Sequence, residues 1–331
     1  MIQDNYGRTV SYLRLSITDR CNLNCFYCRP CKNTKFLPHK DILTYEDIFY
    51  LLEAVSEMDV HKVRLTGGEP FVRRGVMNFL SSVKDKFPML DIHVTTNATL
   101  IGDKVRLLSV MGIKKLNISL DSLDREKYQQ ITGQDALVQV LRTINNCLEE
   151  GIRVKVNVVA LRGVNDEEIG SFVKMALDKP LEVRFIEFMP IGQKTIWNKN
   201  YFWPAEEIIR AVQNITQLEP VADTERNHGP ARIFNLPQGK GRLGFISPLS
   251  NHFCGTCNRL RITADGRLRT CLFSDRDFRL LPLIRSPRIG LQKLKLVLAR
   301  AGYKKPMGHQ FIKSEAPETS ICKRVMSSIG G

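Results

Sequence analysis

No stretch of the chain stays apolar for the roughly 18 residues that a membrane-spanning helix needs, and the opening MIQDNYGRTV has neither the basic start nor the apolar core of a secretory signal. A cytoplasmic protein without membrane association is therefore expected. Low-complexity tracts and internal repeats are missing as well, so the chain is expected to fold throughout. Acidic residues are in short supply: 34 Asp and Glu stand against 49 Lys and Arg, a net charge of +15. That surplus favours a polyanionic partner, whether nucleic acid, a membrane surface or a phosphorylated small molecule. Composition alone does not choose among them; the placement of the charges does.

What is present fits one large α/β domain or one domain with an appendage in 331 residues. Six runs rich in apolar and β-branched residues recur at 13–18, 62–66, 91–95, 115–120, 153–161 and 181–189. Helical spacing lies between them. Ile48, Leu51, Leu52 and Val55 repeat at one helix face behind Thr44 and Asp47, which form a capping-box start, and Leu137, Val140, Leu141, Ile144 and Leu148 repeat the pattern. Strands alternating with helices predict a parallel sheet, either doubly wound or curled as a barrel. In both architectures function sits where strands end, and the loops after these strands, among them DRCNLNCFYC, GGEP and DSLD, are rich in Gly, Asn, Asp and Cys. The pattern breaks down later, and a boundary near 220 divides the chain into 1–220 and 221–331.

Nine cysteines is an odd count, and in a reducing compartment clustered thiols hold metal or do redox work more often than they form bridges. Cys21, Cys25 and Cys28 follow the first strand at a spacing that wraps a small inorganic core. Three thiolates leave one iron of a four-iron cluster open; Cys31 would close the site, and spacing leaves the two readings even. A second triplet, Cys254, Cys257 and Cys271, has His252 and Cys322 as candidate fourth ligands, which keeps a structural zinc open beside a second cluster. Cys147 shares the apolar face of Val140 and Ile144 and reads as a buried small hydrophobe. His93 and His309 have no ligand-like neighbours and read as structural.

The cations fall in phase. Arg14, Arg64, Lys155 and Arg184 each stand between apolar neighbours within a strand, and Lys62 shares the phase of Arg64. If the apolar residues pack under the helices, these cations point inward. Branched apolar side chains normally fill a barrel interior, so an anion is expected there. Internal pairing, for instance Arg184 with Glu182, is the alternative for any single residue. A triphosphate would satisfy the whole set, because Arg offers a bidentate fork and Lys a point charge. Inward cations also argue against nucleic acid, which wants them on an exposed face.

The first triplet with Tyr27 before its third cysteine, together with Gly67, Gly68, Glu69 and Pro70 after the second strand, resembles the radical S-adenosylmethionine superfamily. Both triplets, GFISP, CNRLR, RLRTCLF and the terminal Gly330-Gly331 narrow the resemblance to the GTP 3′,8-cyclase family of molybdenum cofactor biosynthesis, over residues 12–331. The resemblance implies an incomplete parallel (β/α)6 barrel closed by a C-terminal iron-sulfur segment. It also implies two [4Fe-4S] clusters, on Cys21, Cys25 and Cys28 and on Cys254, Cys257 and Cys271, with Cys31 a bystander. S-adenosylmethionine would be met by Tyr27, Gly67, Gly68, Glu69, Ser119 and Met189, although a turn-capping role for Ser119 stays open. GTP would be met by Arg14, Lys62, Arg64, Thr95, Lys155, Arg184, Arg259 and Arg261, with Gly330 and Gly331 threaded into the enclosure. The implied chemistry is hydrogen abstraction at ribose C3′ and ring closure on guanine C8. The implied partners are an external electron donor and cyclic pyranopterin monophosphate synthase, which takes the product. A homodimer is a further expectation, and no nucleic acid or membrane is expected.

Overall fold

Alternation of apolar and polar residues turns the six predicted runs into six parallel strands. The computed structural model describes residues 1–28, 36–192, 196–221, 229–314, 322, 324 and 326–329; Cys31, Gly330 and Gly331 lie outside them. A short hairpin, β1 (Ile2–Gln3) with β2 (Thr9–Val10), precedes β3 (Tyr12–Ser16), β4 (Lys62–Thr66), β5 (Asp91–Thr96), β6 (Lys115–Ser119), β7 (Arg153–Ala160) and β8 (Glu182–Glu187). These last six pair in parallel in sequence order.

Parallel neighbours require crossovers, and helices supply them: α1 (Tyr45–Ser56), α2 (Val76–Lys86), α3 (Val105–Val110), α4 (Arg125–Thr132), α5 (Leu137–Glu149) and α6 (Ile169–Asp178) connect the strands, and α7 (Ala205–Gln213) follows β8. The capping box of α1 forms as expected: Thr44 Oγ1 accepts from Asp47 N at 3.1 Å and Asp47 Oδ2 accepts from Thr44 N at 2.9 Å. Val140, Ile144 and Cys147 of α5 are buried in the main core, where truncating Ile144 to Ala costs about 2–5 kcal/mol.

The strands have two unlike faces. Leu13, Leu15, Val63, Leu65, Val156 and Phe185 pack outward under the helices, so their alternate neighbours turn inward. Those inward positions are mostly polar or charged, the reverse of an ordinary barrel filling.

The remainder of the chain extends both edges of this sheet. β9 (Glu219–Pro220), β10 (Ala231–Asn235) and β11 (Arg242–Ile246) continue it beyond β8, with β11 parallel to β8. β12 (Arg259–Ile262), β13 (Arg267–Arg269) and β14 (Phe278–Arg279) continue it beyond β3, with β12 parallel to β3. The order β14-β13-β12-β3-β4-β5-β6-β7-β8-β11-β10-β9 is linear, as an incomplete barrel requires. Two helices, α8 (Leu281–Ile284) and α9 (Leu291–Tyr303), follow, and α9 lies against β1 and α1. Among the described residues no helix is long and apolar enough to cross a membrane.

Candidate active site

Strand register brings the inward cations into a row. Arg269 stands opposite Arg261, Arg261 opposite Arg14, Arg14 opposite Arg64, and Arg64 opposite His93, across five neighbouring strands. Directly opposed residues share a face, and like charges so placed repel. Arg64, Arg184, Arg261 and Arg269 are buried, Arg269 with no exposure at all. Among the described residues Arg269 Nε and Nη1 have no hydrogen-bond partner, while its Nη2 donates to the carbonyl of Leu272 and to Cys322 Sγ.

The crowding is felt as shifted pKa values. Burial, then Arg261, pushes Arg14 well below its usual value; burial and Arg259 push Arg261 down to about 10; burial and Arg184 push Lys155 down to about 8, against the pull of Glu182. Lys62 is also lowered, chiefly by burial. This wall is short of negative charge. One carboxylate answers part of it: Glu182 is shared by Lys155, at 3.2 Å, and Arg184. The internal pairing that the sequence left open for Arg184 is therefore real, and Lys155 shares in it.

Arg64 is held differently. Its Nε donates to the Tyr12 hydroxyl, Nη1 to Thr95 Oγ1 at 3.3 Å, and Nη2 lies 3.4 Å from His93 Nδ1. His93 Nε2 in turn lies 2.8 Å from Asp91 Oδ2, which also accepts from Lys115 Nζ at 3.1 Å.

All these side chains except Arg269, Asp91 and Cys322 line one cavity of about 630 Å³, and both cysteine triplets open onto it. Tyr27, Gly67, Gly68, Glu69, Thr95, Ser119, Met189 and Arg259 line it too. Within the described residues, the cysteines of both triplets and every residue assigned above to S-adenosylmethionine or GTP thus reach the same space, whereas the alternative fourth ligands His252 and Cys322 do not line it.

The first triplet sits on the loop after β3. Burial, then Cys28, Asp121 and Cys21, pushes the Cys25 thiol well up. Three mutually repelling sulfurs on a buried wall are stable as thiolates only around a cationic core, so the donor set fits an iron-sulfur cluster. The GGEP segment packs against the start of this loop. Gly68 N donates to the Thr18 carbonyl at 2.9 Å and Glu69 N to the Arg20 carbonyl at 2.8 Å. A Cβ on Gly67 would lie 2.2 Å from the Thr18 carbonyl oxygen, and one on Gly68 equally close to that of Arg20. Glycine is what lets the two segments touch. The Glu69 carboxylate accepts from Phe71 N, Thr96 Oγ1 and Asn97 N, at 3.1, 2.8 and 2.6 Å. Burial raises it to about 7 despite these bonds. Asn97 Nδ2 reaches back to Cys21 Sγ at 3.8 Å. Tyr27 donates to Asp121 Oδ2 at 2.5 Å, and Asp121 Oδ1 accepts from Val159 N at 2.8 Å.

The second triplet surrounds a gap kept clear by Gly308, whose added Cβ would lie 2.8 Å from Cys271 Sγ and 3.6 Å from Cys254 Sγ. Burial raises Cys257, but Arg259 and Lys305 outweigh it and hold the thiol down to about 6, a ready thiolate ligand. Lys305 is fixed by the carbonyls of Arg259 and Thr270, each at 2.8 Å. Among the described residues no three His, Cys, Asp or Glu side chains close on a single ion, at either triplet. Cys322 is buried with Ile191, Phe273 and Ile329, in a cluster that Cys271 packs against. His252 Nδ1 meets the Pro248 carbonyl at 2.8 Å, and its ring stacks on His309.

Sequence reasoning missed Tyr12, Asp121, Arg269, Lys305 and Gly308, and it read His93 as merely structural. Tyr12 and Arg269 share the inward phase of the cations already noted, so alternation alone could have found them. Lys305 and Gly308 lie far along the chain from the cysteines they serve, where no local pattern points to them.

Two family descriptions match the chain: Radical SAM superfamily over residues 15–176 and Molybdenum Cofactor Synthesis C over residues 181–311. The GTP 3',8-cyclase of Alkaliphilus oremlandii (strain OhILAs) is 42% identical over 331 residues, covering 100% of both chains. That of Petrotoga mobilis (strain DSM 10674 / SJ95) is 41% identical over 330 residues, covering 99% of each. Among solved structures, Streptococcus suis SuiB bound to S-adenosylmethionine superposes with a TM-score of 0.63 at 16% identity, over 97% of this chain and 77% of that chain, a likeness of fold alone.

Proposed function

The chain belongs to the GTP 3′,8-cyclase family of radical S-adenosylmethionine enzymes, and on that footing we propose how its residues divide the work. The activity is conversion of GTP to 3′,8-cyclo-7,8-dihydro-GTP, the first step of molybdenum cofactor biosynthesis. S-adenosylmethionine and iron-sulfur clusters supply, when bound, the one-electron cleavage and hydrogen-atom abstraction that no side chain performs.

Cys21, Cys25 and Cys28 hold the cluster that serves S-adenosylmethionine, and Cys254, Cys257 and Cys271 hold the second. Tyr27, Gly67, Gly68, Glu69, Ser119 and Met189 bound the S-adenosylmethionine site, where Glu69 acts by fixing the backbone of Phe71 and Asn97. Arg14, Lys62, Arg64, Thr95, Lys155, Arg184, Arg259 and Arg261 hold GTP, with the cations on its triphosphate. The reaction takes a hydrogen from ribose C3′ and joins C3′ to guanine C8, so the protein's task is to hold those two carbons together and keep water away. Gly330 and Gly331 complete that enclosure in this reading. The register row of Arg261, Arg14 and Arg64, opening on the same cavity as both triplets, is the observation that carries it.

The wider setting is part of the same proposal. An external donor would deliver two electrons per turnover, one for cleavage of S-adenosylmethionine and one, with a proton, for the nucleotide radical left by ring closure; the product passes to cyclic pyranopterin monophosphate synthase, and the chain works in the cytoplasm as a homodimer. Residues 1–220 form the catalytic partial barrel and 221–331 the second-cluster region.

Anaerobic turnover of the reconstituted protein with S-adenosylmethionine, a strong reductant and GTP tests the reading. Both 5′-deoxyadenosine and the cyclised nucleotide are expected, each dependent on GTP. 5′-Deoxyadenosine with intact GTP would mean a different substrate. Full turnover after removal of Gly330 and Gly331 would sink the role given to the terminus.

A further inference from the structure

Arg64 and Arg184 both face the cavity, but among the described residues only Arg184 of the two has a carboxylate on its guanidinium. Arg64 is oriented by the Tyr12 phenol, the Thr95 hydroxyl and the His93 imidazole, none of them a carboxylate. A guanidinium paired with a carboxylate has part of its charge and fork already spoken for, whereas one aimed by hydroxyl and imidazole acceptors, as Arg64 is below about pH 7 where Tyr12 is protonated, keeps its charge for a ligand. We propose that His93, backed by Asp91, is a positioning residue that aims Arg64 at the triphosphate of GTP. This rests on the assignment of Arg64 to GTP made above.

The two partners of His93 fix its chemistry. Asp91 only accepts and Arg64 only donates, so the proton of neutral imidazole belongs on Nε2, and Nδ1 presents its lone pair to Arg64 Nη2. Buried at 3% exposure, the ring is held neutral chiefly by burial, which takes it down to about 4. A protonated ring would turn a donor towards Arg64 and add charge beside Lys62. His93 is also the register neighbour of Arg64 on the side away from Arg14. Arg14 repels Arg64 from one side while His93 accepts from it on the other. Lys115, on the next strand, completes the line by holding the Asp91 carboxylate at the strand entrance.

Two substitutions separate the two nitrogens of the ring. Asparagine places an acceptor oxygen near the Nδ1 position, and glutamine places a donor near the Nε2 position. If His93 acts through Arg64, His93→Gln weakens GTP binding about tenfold, as loss of one hydrogen bond to a charged group would. His93→Asn stays within about threefold. The loss should appear in KM for GTP more than in kcat. Calorimetric titration of GTP into the cluster-loaded protein supplies a readout independent of turnover, and thermal melting checks that both variants fold. Should His93→Gln prove insoluble, Asp91→Ala, at a half-exposed position, frees the tautomer and should weaken GTP binding in the same direction.

A double-mutant cycle with Arg64→Lys closes the test. Arg64→Lys should weaken GTP binding, and His93→Gln should add little in that background. Additive losses, or equal losses in Asn and Gln variants, would overturn the positioning role while leaving Arg64 with GTP. Unchanged GTP binding in Arg64→Lys would instead overturn the assignment beneath it.

Discussion

Arg8 Nη1 donates to the Cys254 carbonyl oxygen at 2.6 Å, across 246 positions of chain. The same guanidinium reaches the carbonyls of Lys305 and Pro306, both at 3.1 Å, and its Nε pairs with buried Asp4 at 2.5 Å. The N-terminal hairpin is thereby tied to the loop that presents the second triplet.

Arg8→Met keeps an unbranched stem but removes the guanidinium, and leaves Asp4 without its ion partner. Breaking a buried pair from one side costs about 3–5 kcal/mol. Urea unfolding of the cluster-free protein should show that loss, and iron analysis should show a poorly filled second cluster beside an intact first.

Tyr12 gives a pH signature. Burial raises its hydroxyl, but Arg64, Arg14 and Lys62 outweigh burial and hold it down to about 7. Because the folded value lies below the unfolded one of about 10, ionisation favours the fold. The contribution is full above the unfolded value and is lost as pH falls through about 7. A triphosphate among the same cations opposes the phenolate, so GTP binding above pH 7 should take up a proton and weaken as pH rises. Calorimetry in two buffers of different ionisation enthalpy measures that uptake; if Tyr12→Phe takes up as many protons as the wild type, Tyr12 is not their source.

Glu69→Gln tests whether Glu69 acts through the backbone. The carboxylate accepts from three donors on its two oxygens, and an amide must turn its NH2 on one of them. The mismatch costs about 1–3 kcal/mol. Thermal melting of the cluster-free protein should detect it before any cofactor is present, and an unchanged midpoint would return Glu69 to a purely ligand-facing role.

Gly308→Ala should separate the two clusters. Its methyl would stand between Cys271 and Cys254 and nowhere near the first triplet. Mössbauer spectra of the reconstituted variant should retain the first cluster and lose most of the second. Equal loss of both would contradict the independence of the two sites.

Alternation made the six strands and the inward phase of Arg14, Arg64, Lys155 and Arg184 legible in the sequence, and helical spacing did the same for the burial of Cys147, because both periodicities are local properties. It did not give the register. That Arg269, Arg261, Arg14 and Arg64 stand side by side depends on β12 and β13 returning to the edge of β3, a pairing between segments some 245 residues apart. His93 misled for a related reason: its partner Arg64 is on the next strand and Asp91 two residues away on its own, so each contact looks ordinary until both are seen. The split near 220 described a change in pattern, while the strands after it flank the core on both sides.

That flanking has a consequence during synthesis. When residue 187 has left the ribosome, the six-stranded core has every strand it needs but two bare edges, β3 and β8, each offering unpaired backbone to any passing chain. The strand that covers β8 begins at residue 242, and the strand that covers β3 at residue 259. At about 5–20 residues per second, the nascent protein spends several seconds with both edges exposed. The β3 edge, beside the first cysteine loop, is the last to be covered, so any demand for a holding chaperone is longest there.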